Sequence, residues 1–222
     1  LRMRDRISRH VDQRTEMLAG VSHDLRTPLT RIKLQLAMIE GSTEINKLKG
    51  DVSDMEHMVE GYLDFARGQD AEPTVMADLS ELLENVVAAA RNDGSNVVLT
   101  TSVSPNETRL FFAYIRPISL KRCFTNLLNN SRRHAEKILV SMYRNGDYLE
   151  IAIDDDGPGI PENKRKEVFR PFRRLDDSRN LDTGGTGLGL AVARDVARSH
   201  GGDIILSDAP TGGLRALIRL PS

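Results

Sequence analysis

The sequence is short of cysteine, of long apolar runs and of any excess of charge, and each shortage excludes something. Cys123 is the single cysteine among 222 residues. No internal disulfide can form and no zinc site can be completed by thiolates, so a reducing, cytoplasmic setting is expected. No stretch of about 18 consecutive apolar residues occurs, so no membrane-crossing helix is expected, and no signal-peptide pattern opens the chain. Lys and Arg number 31 against 32 Asp and Glu, a formal net charge of −1. There is no global positive field to hold nucleic acid or anionic lipid, and nucleic acid is not expected as a partner. No internal repeat is visible.

What is there is the apolar share of a folded protein, 39% of the chain with 17 glycines besides, enough for two compact units. The opening LRMRDRISRHVDQRTEML is a charged helical pattern without a start signal and reads as part of a longer protein. Apolar residues fall at Leu18, Val21, Leu25, Leu29, Ile32, Leu36 and Ile39, three and four apart, which makes one stripe on a long helix. After Gly41, Ser42 and Thr43 a second stripe runs through Ile45, Leu48, Val52, Met55, Val59, Tyr62 and Ala66 at heptad spacing. Two helices with one stripe each cannot enclose a core. Pairing two hairpins as a four-helix bundle solves this and predicts a homodimer. His23 stands two residues from both Val21 and Leu25, about 200° around the helix from each, and therefore faces solvent. The helical pattern breaks at GQDAEP, where Gly68 and Pro73 mark a domain boundary.

From residue 74 the pattern is mixed. DLSELLENVVAAARN reads as a helix, NVVLTTSV and TRLFFA as strands, and ISLKRCFTNLLNNSRRHA as a helix with Ile118, Cys123, Leu127 and Leu128 on its apolar side. KILVSMYRNGDYLEIAIDDDG reads as a β-hairpin around Asn145-Gly146. A long polar loop spans Pro161 to Gly184. A helix, GLGLAVARDVARSHGG, ends at Gly201, and two last strands, DIILSD and GLRALIRLP, are joined through Pro210 to Gly213. The predicted fold class is an α helical hairpin forming a dimeric four-helix bundle, plus an α+β sandwich with helices on one face of a mixed sheet.

Three groups of residues carry chemistry. Asp155, Gly157 and Gly159 form D-x-G-x-G at a strand end, where a carboxylate can accept a hydrogen bond from an exocyclic amine such as adenine carries. Gly185, Thr186, Gly187, Leu188 and Gly189 form a Gly-rich turn at a helix start, where unpaired N–H groups and the positive dipole end suit phosphate. Asn126 and Asn130 lie four apart on one helix face, and amide oxygens are suitable magnesium ligands. Arg133 and His134 follow one turn later, able to contact phosphate and stack on a ring.

In this order the three groups resemble the ATP-binding fold shared by histidine kinases, gyrase, Hsp90 and MutL. NLLNNSRRHA is similar to the N box, DDDGPGI to the first glycine box, VFRPFRRLD to the F box and GTGLGL to the second glycine box; the Walker P-loop pattern is absent, as this family implies. VSHDLRTPLTRI is similar to the H box. Residues 17 to 222 together resemble the cytoplasmic core of a sensor histidine kinase, most of all the EnvZ-type osmosensors.

The resemblance implies ATP and Mg2+ as ligands, His23 as phosphoacceptor and Asp24 as the base that polarises it. Thr27, one turn along, is placed to position a hydrolytic water for dephosphorylating the partner. It further implies Asn130 as magnesium ligand with Asn126 beside it, Asp155 as reader of the adenine amine, and the second glycine box as phosphate cradle. Arg174 matches the lid arginine after the F box, and Phe169 and Phe172 pack the lid. His134 stands where relatives often have Tyr or Phe, and Ser131 where Ala is common. The implied organisation is a dimerisation and phosphotransfer domain at 1–67, its first ten residues ending an upstream linker, then a linker at 68–75 and a catalytic domain at 76–222. The implied partner is a response regulator receiver domain of the OmpR-like kind. The implied location is the cytoplasmic portion of an inner-membrane bacterial sensor.

Overall fold

The computed structural model describes residues 25, 28–39, 44–46, 48–50, 52, 55, 72–101, 111–173 and 187–222. The chain divides into two compact units, Leu1–Gly68 with Ser178–Leu188, and Gln69–Asp177 with Gly189–Ser222. No helix among the described residues is long and apolar enough to cross a membrane.

In the first unit, residues 28–37 are helical, and so are the described residues between 44 and 55. The stripe splits by heptad position. Leu29 and Leu36, seven apart, are buried with Val52, and Ile45 packs against them. Leu25, Ile32 and Ile39, also seven apart, stay 41–48% exposed, as do Leu48 and Met55 at 49% and 41%. One seam closes the hairpin, and the other remains open in a single chain.

The second unit is built on a five-stranded mixed sheet in the order β2-β4-β5-β7-β6, beside a two-stranded β1-β3. The strands are β1 (Val75–Asp78), β2 (Asn96–Thr101), β3 (Phe112–Ile115), β4 (Lys137–Asn145), β5 (Tyr148–Asp155), β6 (Asp203–Asp208) and β7 (Leu214–Pro221). Only β2 and β4 run parallel; the other neighbours are antiparallel. Helices α1 (Leu79–Asn92), α2 (Pro117–His134) and α3 (Gly189–Ser199) supply the apolar cover. Their buried residues recur at helical spacing: Leu79, Leu83, Val86 and Val87 on α1, Leu120, Cys123, Phe124, Leu127 and Leu128 on α2, and Val192, Ala193, Val196 and Ala197 on α3. The alternate sheet residues Ile138, Val140, Met142, Leu149, Ile151, Ile153, Ile204, Ala216 and Ile218 are also buried.

Several expectations need correction. Strand β1 begins at Val75, inside the stretch expected as linker; pairing with β3 across the intervening helix and strand decides it, and short-range pattern cannot show such pairing. Asp78 is the N-cap of α1 rather than a helical residue, and its carboxylate accepts from Ser80 N at 2.9 Å. Strand β3 runs to Ile115, two residues past the expected TRLFFA, whose residues 108–110 lie outside the described ones. The hairpin loop is Gly146-Asp147, because Asn145 already pairs with Tyr148, and Gly146 takes the left-handed φ of 60°. Ile118 is 76% exposed, since it lies about 200° around α2 from the buried Leu120, on the side opposite the buried row. The long polar loop contains two 3-10 turns, Glu162–Lys164 and Glu167–Phe169. Helix α3 starts at Gly189, so Gly187, with φ 67°, and the buried Leu188 precede it.

Candidate functional site

Three consecutive aspartates close β5, and the strand's alternation gives each a different task. Asp154 faces away from the helices and is held by Arg215 in a bidentate pair, both N–H···O distances 2.7 Å. Asp156 is exposed, and its Oδ1 accepts from the backbone N–H of Lys137 and Glu136, each at 2.9 Å. Those two bonds, Lys137 first, hold its carboxyl below the ordinary range and tie the end of β5 to the start of β4.

Asp155 continues the inward row of Leu149, Ile151 and Ile153 and is 3% exposed. Its Oδ1 accepts from Gly157 N at 3.1 Å and from Leu214 N at 3.0 Å. Thr211 Oγ1 donates to its backbone carbonyl at 2.7 Å. Among the described residues both hydrogen bonds to this carboxyl fall on Oδ1, which fixes the carboxylate's orientation and leaves Oδ2 without one.

The glycines around Asp155 are there for close approach. A Cβ at Gly157 would lie 2.7 Å from the carbonyl oxygen of His134, where the end of α2 meets the loop. A Cβ at Gly213 would collide with the Asp155 carbonyl oxygen and lie 2.6 Å from Gly157 N and 2.7 Å from Asp155 Oδ1. Gly159 has φ 70° and sits beside Gly213. Thr211, Gly213 and Leu214, which build the seat of Asp155, were read from sequence only as a turn and a strand start. Their one visible signal was the Gly212-Gly213 pair before the last strand.

Helix α2 brings Asn126 and Asn130 one turn apart, both half-buried, on the flank of its apolar row. Among the described residues no hydrogen bond engages either side-chain amide. Gly189, at the start of α3, faces Asn126: a Cβ there would stand in ordinary contact, 3.8 Å from Asn126 Oδ1. Arg133 and His134 end the helix and are exposed, and Ser131 is buried. The structure therefore collects Asn126, Asn130, Arg133, His134, Asp155, Gly157, Gly159 and Gly189 in one unit. His23, Asp24, Thr27, Arg174, Gly185 and Thr186 lie outside the described residues.

At the base of the expected lid, the guanidinium of Arg194 stacks 4.3 Å over the Phe169 ring and pairs with Asp203 through Nε at 2.7 Å and Nη2 at 3.0 Å. Phe169 thereby packs onto α3. Phe172 is 56% exposed, with φ 64°.

Residues 13–71 match the His Kinase A (phospho-acceptor) domain, and residues 115–222 match the histidine kinase-, DNA gyrase B-, and HSP90-like ATPase. Sensor histidine kinase GtrS of Pseudomonas aeruginosa is 34% identical over 220 residues, covering 99% of this chain and 44% of GtrS. The NMR structure of the histidine kinase domain of the E. coli osmosensor EnvZ is 32% identical, with 69% of this chain and 92% of that one covered and a TM-score of 0.51. Full-length ShkA, crystallised with AMPPNP, has a TM-score of 0.71 over 93% of this chain and 45% of its own, and at 23% identity it shows likeness of fold. Sheet, helices and site thus define an ATPase of the histidine kinase, gyrase and Hsp90 class, whose ligand is ATP with Mg2+. The chain belongs to the sensor histidine kinases of two-component systems. It spans 44% of the length of GtrS.

Proposed function

We propose that this chain is the autokinase core of its protein: it binds ATP with Mg2+, phosphorylates His23 and passes the phosphoryl group to an aspartate of a response regulator receiver domain of the OmpR-like kind. The observation that carries this reading is the seat of Asp155, a buried carboxylate with Oδ1 tied by two backbone N–H groups and Oδ2 left to accept from the adenine amine.

ATP and Mg2+ fit the residues present. Asn130 and Asn126 offer amide oxygens unengaged among the described residues. The bound metal neutralises charge on the phosphates. Arg133 and Arg174 are assigned to phosphate, His134 to ring stacking, and Gly157 and Gly159 to close approach of the nucleotide. Gly185, Thr186, Gly187, Leu188 and Gly189, just before and at the start of α3, are assigned to the phosphates. His23 attacks the γ-phosphorus with one ring nitrogen while Asp24 takes the proton from the other; the bond to the bridging oxygen breaks and ADP leaves. The receiver carboxylate then attacks the phosphorus and the N–P bond breaks. Thr27 holds the water that later hydrolyses the acyl phosphate, which makes the core bifunctional.

The open seam of Leu25, Ile32, Ile39, Leu48 and Met55 supports a homodimer through the hairpin, since exposed apolar residues at heptad spacing need a second copy. The unit boundaries proposed are a phosphotransfer domain at 1–67, a linker at 68–74 and a catalytic domain that opens with β1 at Val75 and runs to 222, and the setting is the cytoplasmic side of a bacterial inner-membrane sensor. The test is incubation with γ-labelled ATP and Mg2+. The label should sit on protein, survive alkali, be lost in acid and be absent from His23→Gln. Equal labelling of His23→Gln and parent contradicts the assignment.

A further inference from the structure

Helices α2 and α3 lie side by side in one unit, and contacts at three levels fix their register. Gly189, where α3 begins, packs against Asn126. Further along, Cys123 Sγ donates to the carbonyl of Ala193 at 3.4 Å. Just past the end of α3, His200 Nε2 accepts from the backbone N–H of Arg116 at 3.0 Å, and Arg116 Nη2 donates to the carbonyl of Ser199 at 2.6 Å. Partners on α3 climb from 189 to 200 as those on α2 descend from 126 to 116, so the helices run antiparallel. The bond to His200 is the rung farthest from Asn126 and Asn130.

The other N–H groups at the start of α2 are engaged differently. Pro117 has none, and those of Ile118 and Ser119 go to the carboxylate of Glu72, at 2.6 Å to Oε1 and 2.8 Å to Oε2. Those bonds cap α2, whereas the bond to His200 ties it to the second helix of the site. Because Nε2 accepts, it carries no proton; Nδ1 carries the ring's proton and donates to the carbonyl of Val196 at 2.8 Å. Only a neutral ring makes both bonds. Burial first, then the Arg116 charge, hold its pKa below the ordinary value against the pull of the Val196 bond and the Glu72 carboxylate. Arg198, the charge nearest on its own helix, pairs with Asp203 at 3.3 Å. A proton added at Nε2 would meet the Arg116 N–H donor to donor and open the rung.

We propose that His200 is a positioning residue for Mg2+-ATP: by accepting from Arg116 it holds α2 in the register against α3 that sets Asn126 against Gly189, with Asn130 one turn beyond. This rests on the assignment of the two asparagines to the metal. Hydrogen bonds that act behind metal ligands set ligand orientation and hence affinity.

The test is the equilibrium affinity of the full chain for ATP, with and without Mg2+, across a pH series. His200→Leu removes the acceptor and should weaken binding of Mg2+-ATP about tenfold, with a smaller loss when the metal is absent. His200→Gln offers an amide oxygen near the place of Nε2 and does not titrate, so at about pH 7.5 it should bind within about twofold of the parent. As pH falls from about 7.5 to 5.5 the parent should lose affinity relative to His200→Gln. That ratio cancels the titration of His134 and of the ATP phosphates, which both proteins share. Parent-like affinity of folded His200→Leu for Mg2+-ATP overturns the inference. A ratio that stays flat over the pH series overturns it too, and that readout stands if His200→Leu does not fold. A purely structural His200 would lower the unfolding midpoint of the variants and leave the ratio flat. Equal losses with and without Mg2+ in Asn130→Ala contradict the metal assignment itself, an outcome separate from an indifferent His200.

Discussion

The two units bury their apolar residues by different routes. In the ATP unit, the inward residues of β4, β5 and β7 are almost wholly covered by the unit's own helices: Met142, Ile151, Ile153 and Ile218 are each 0% exposed. In the hairpin, Leu29, Leu36 and Val52 are covered, but residues at the alternate heptad position stay about half open. A sheet with helices closes on itself, whereas a two-helix hairpin has two seams and only one partner. The ATP unit should therefore be stable as a single copy, and the hairpin should depend on a second one.

The largest effect is expected from breaking the closed unit at its tightest point. Gly213→Ala places a Cβ against the backbone of Asp155 and Gly157, and it should cost about 3 kcal/mol or more of stability, since backbone there must move. Thermal unfolding of the ATP unit checks this, and dimer formation should survive. An unchanged midpoint would mean that the turn at 211–213 is loose.

Next comes the open seam. Ile32→Asp removes an apolar side chain from the seam and adds charge, and it should weaken self-association by about 2 kcal/mol, or roughly thirtyfold in dissociation constant. Sedimentation across a concentration series reads it. Nucleotide affinity should not move, and a dimer as tight as the parent's would place the seam elsewhere.

A smaller effect is expected at Asn130→Ala. Removing one amide oxygen should reduce ATP affinity about tenfold in the presence of Mg2+ and much less in its absence. Titrations with and without the metal decide it, and equal losses in both would deny Asn130 a role at the metal.

The smallest effect is a pH dependence confined to the ATP unit. Burial first, with the Arg116 charge adding to it, holds the His200 pKa below its ordinary value of 6.5, against the pull of its bond to Val196. The unfolded chain then binds more protons than the folded one as pH falls through this range. His200 thus contributes stability that is fully present above about pH 6.5 and is lost as pH falls toward and through the folded pKa. The unfolding midpoint should drop between about pH 7.5 and 5.5 in the parent, and less so in His200→Gln. An identical drop in both would assign the dependence to other groups.

Legibility followed the range of the interactions. Helices α1, α2 and α3 were visible because their apolar residues recur every three or four positions, a signal written within one turn. The place of Asp155 was visible as a carboxylate at a strand end followed by two glycines. Its seat was not, because Leu214 and Thr211 reach it from 59 and 56 residues away and nothing local announces that pairing. Strand β1 was missed for the same reason, its partner lying on β3. Glu72 was passed over as a linker residue, because a helix cap supplied across 46 residues leaves no short-range motif. The stripes did foretell that one hairpin could not enclose its core, yet the split into a closed and an open seam emerged only from the packing of Leu29, Leu36 and Val52.

The central claim is that the buried Asp155 carboxylate selects the nucleotide, and one measurement bears on it most directly: equilibrium affinity for ATP against inosine triphosphate, in parent and in Asp155→Asn. Inosine has a carbonyl where adenine has its amine, so it turns an acceptor toward Oδ2. The parent should prefer ATP by about a hundredfold, because a buried acceptor left facing another acceptor costs the order of 2–3 kcal/mol. Asp155→Asn keeps Oδ1 for Gly157 and Leu214 and replaces Oδ2 with a donor, so the preference should collapse or invert with the fold intact. Equal affinity of the parent for both nucleotides, or an unchanged preference in Asp155→Asn, would contradict the account.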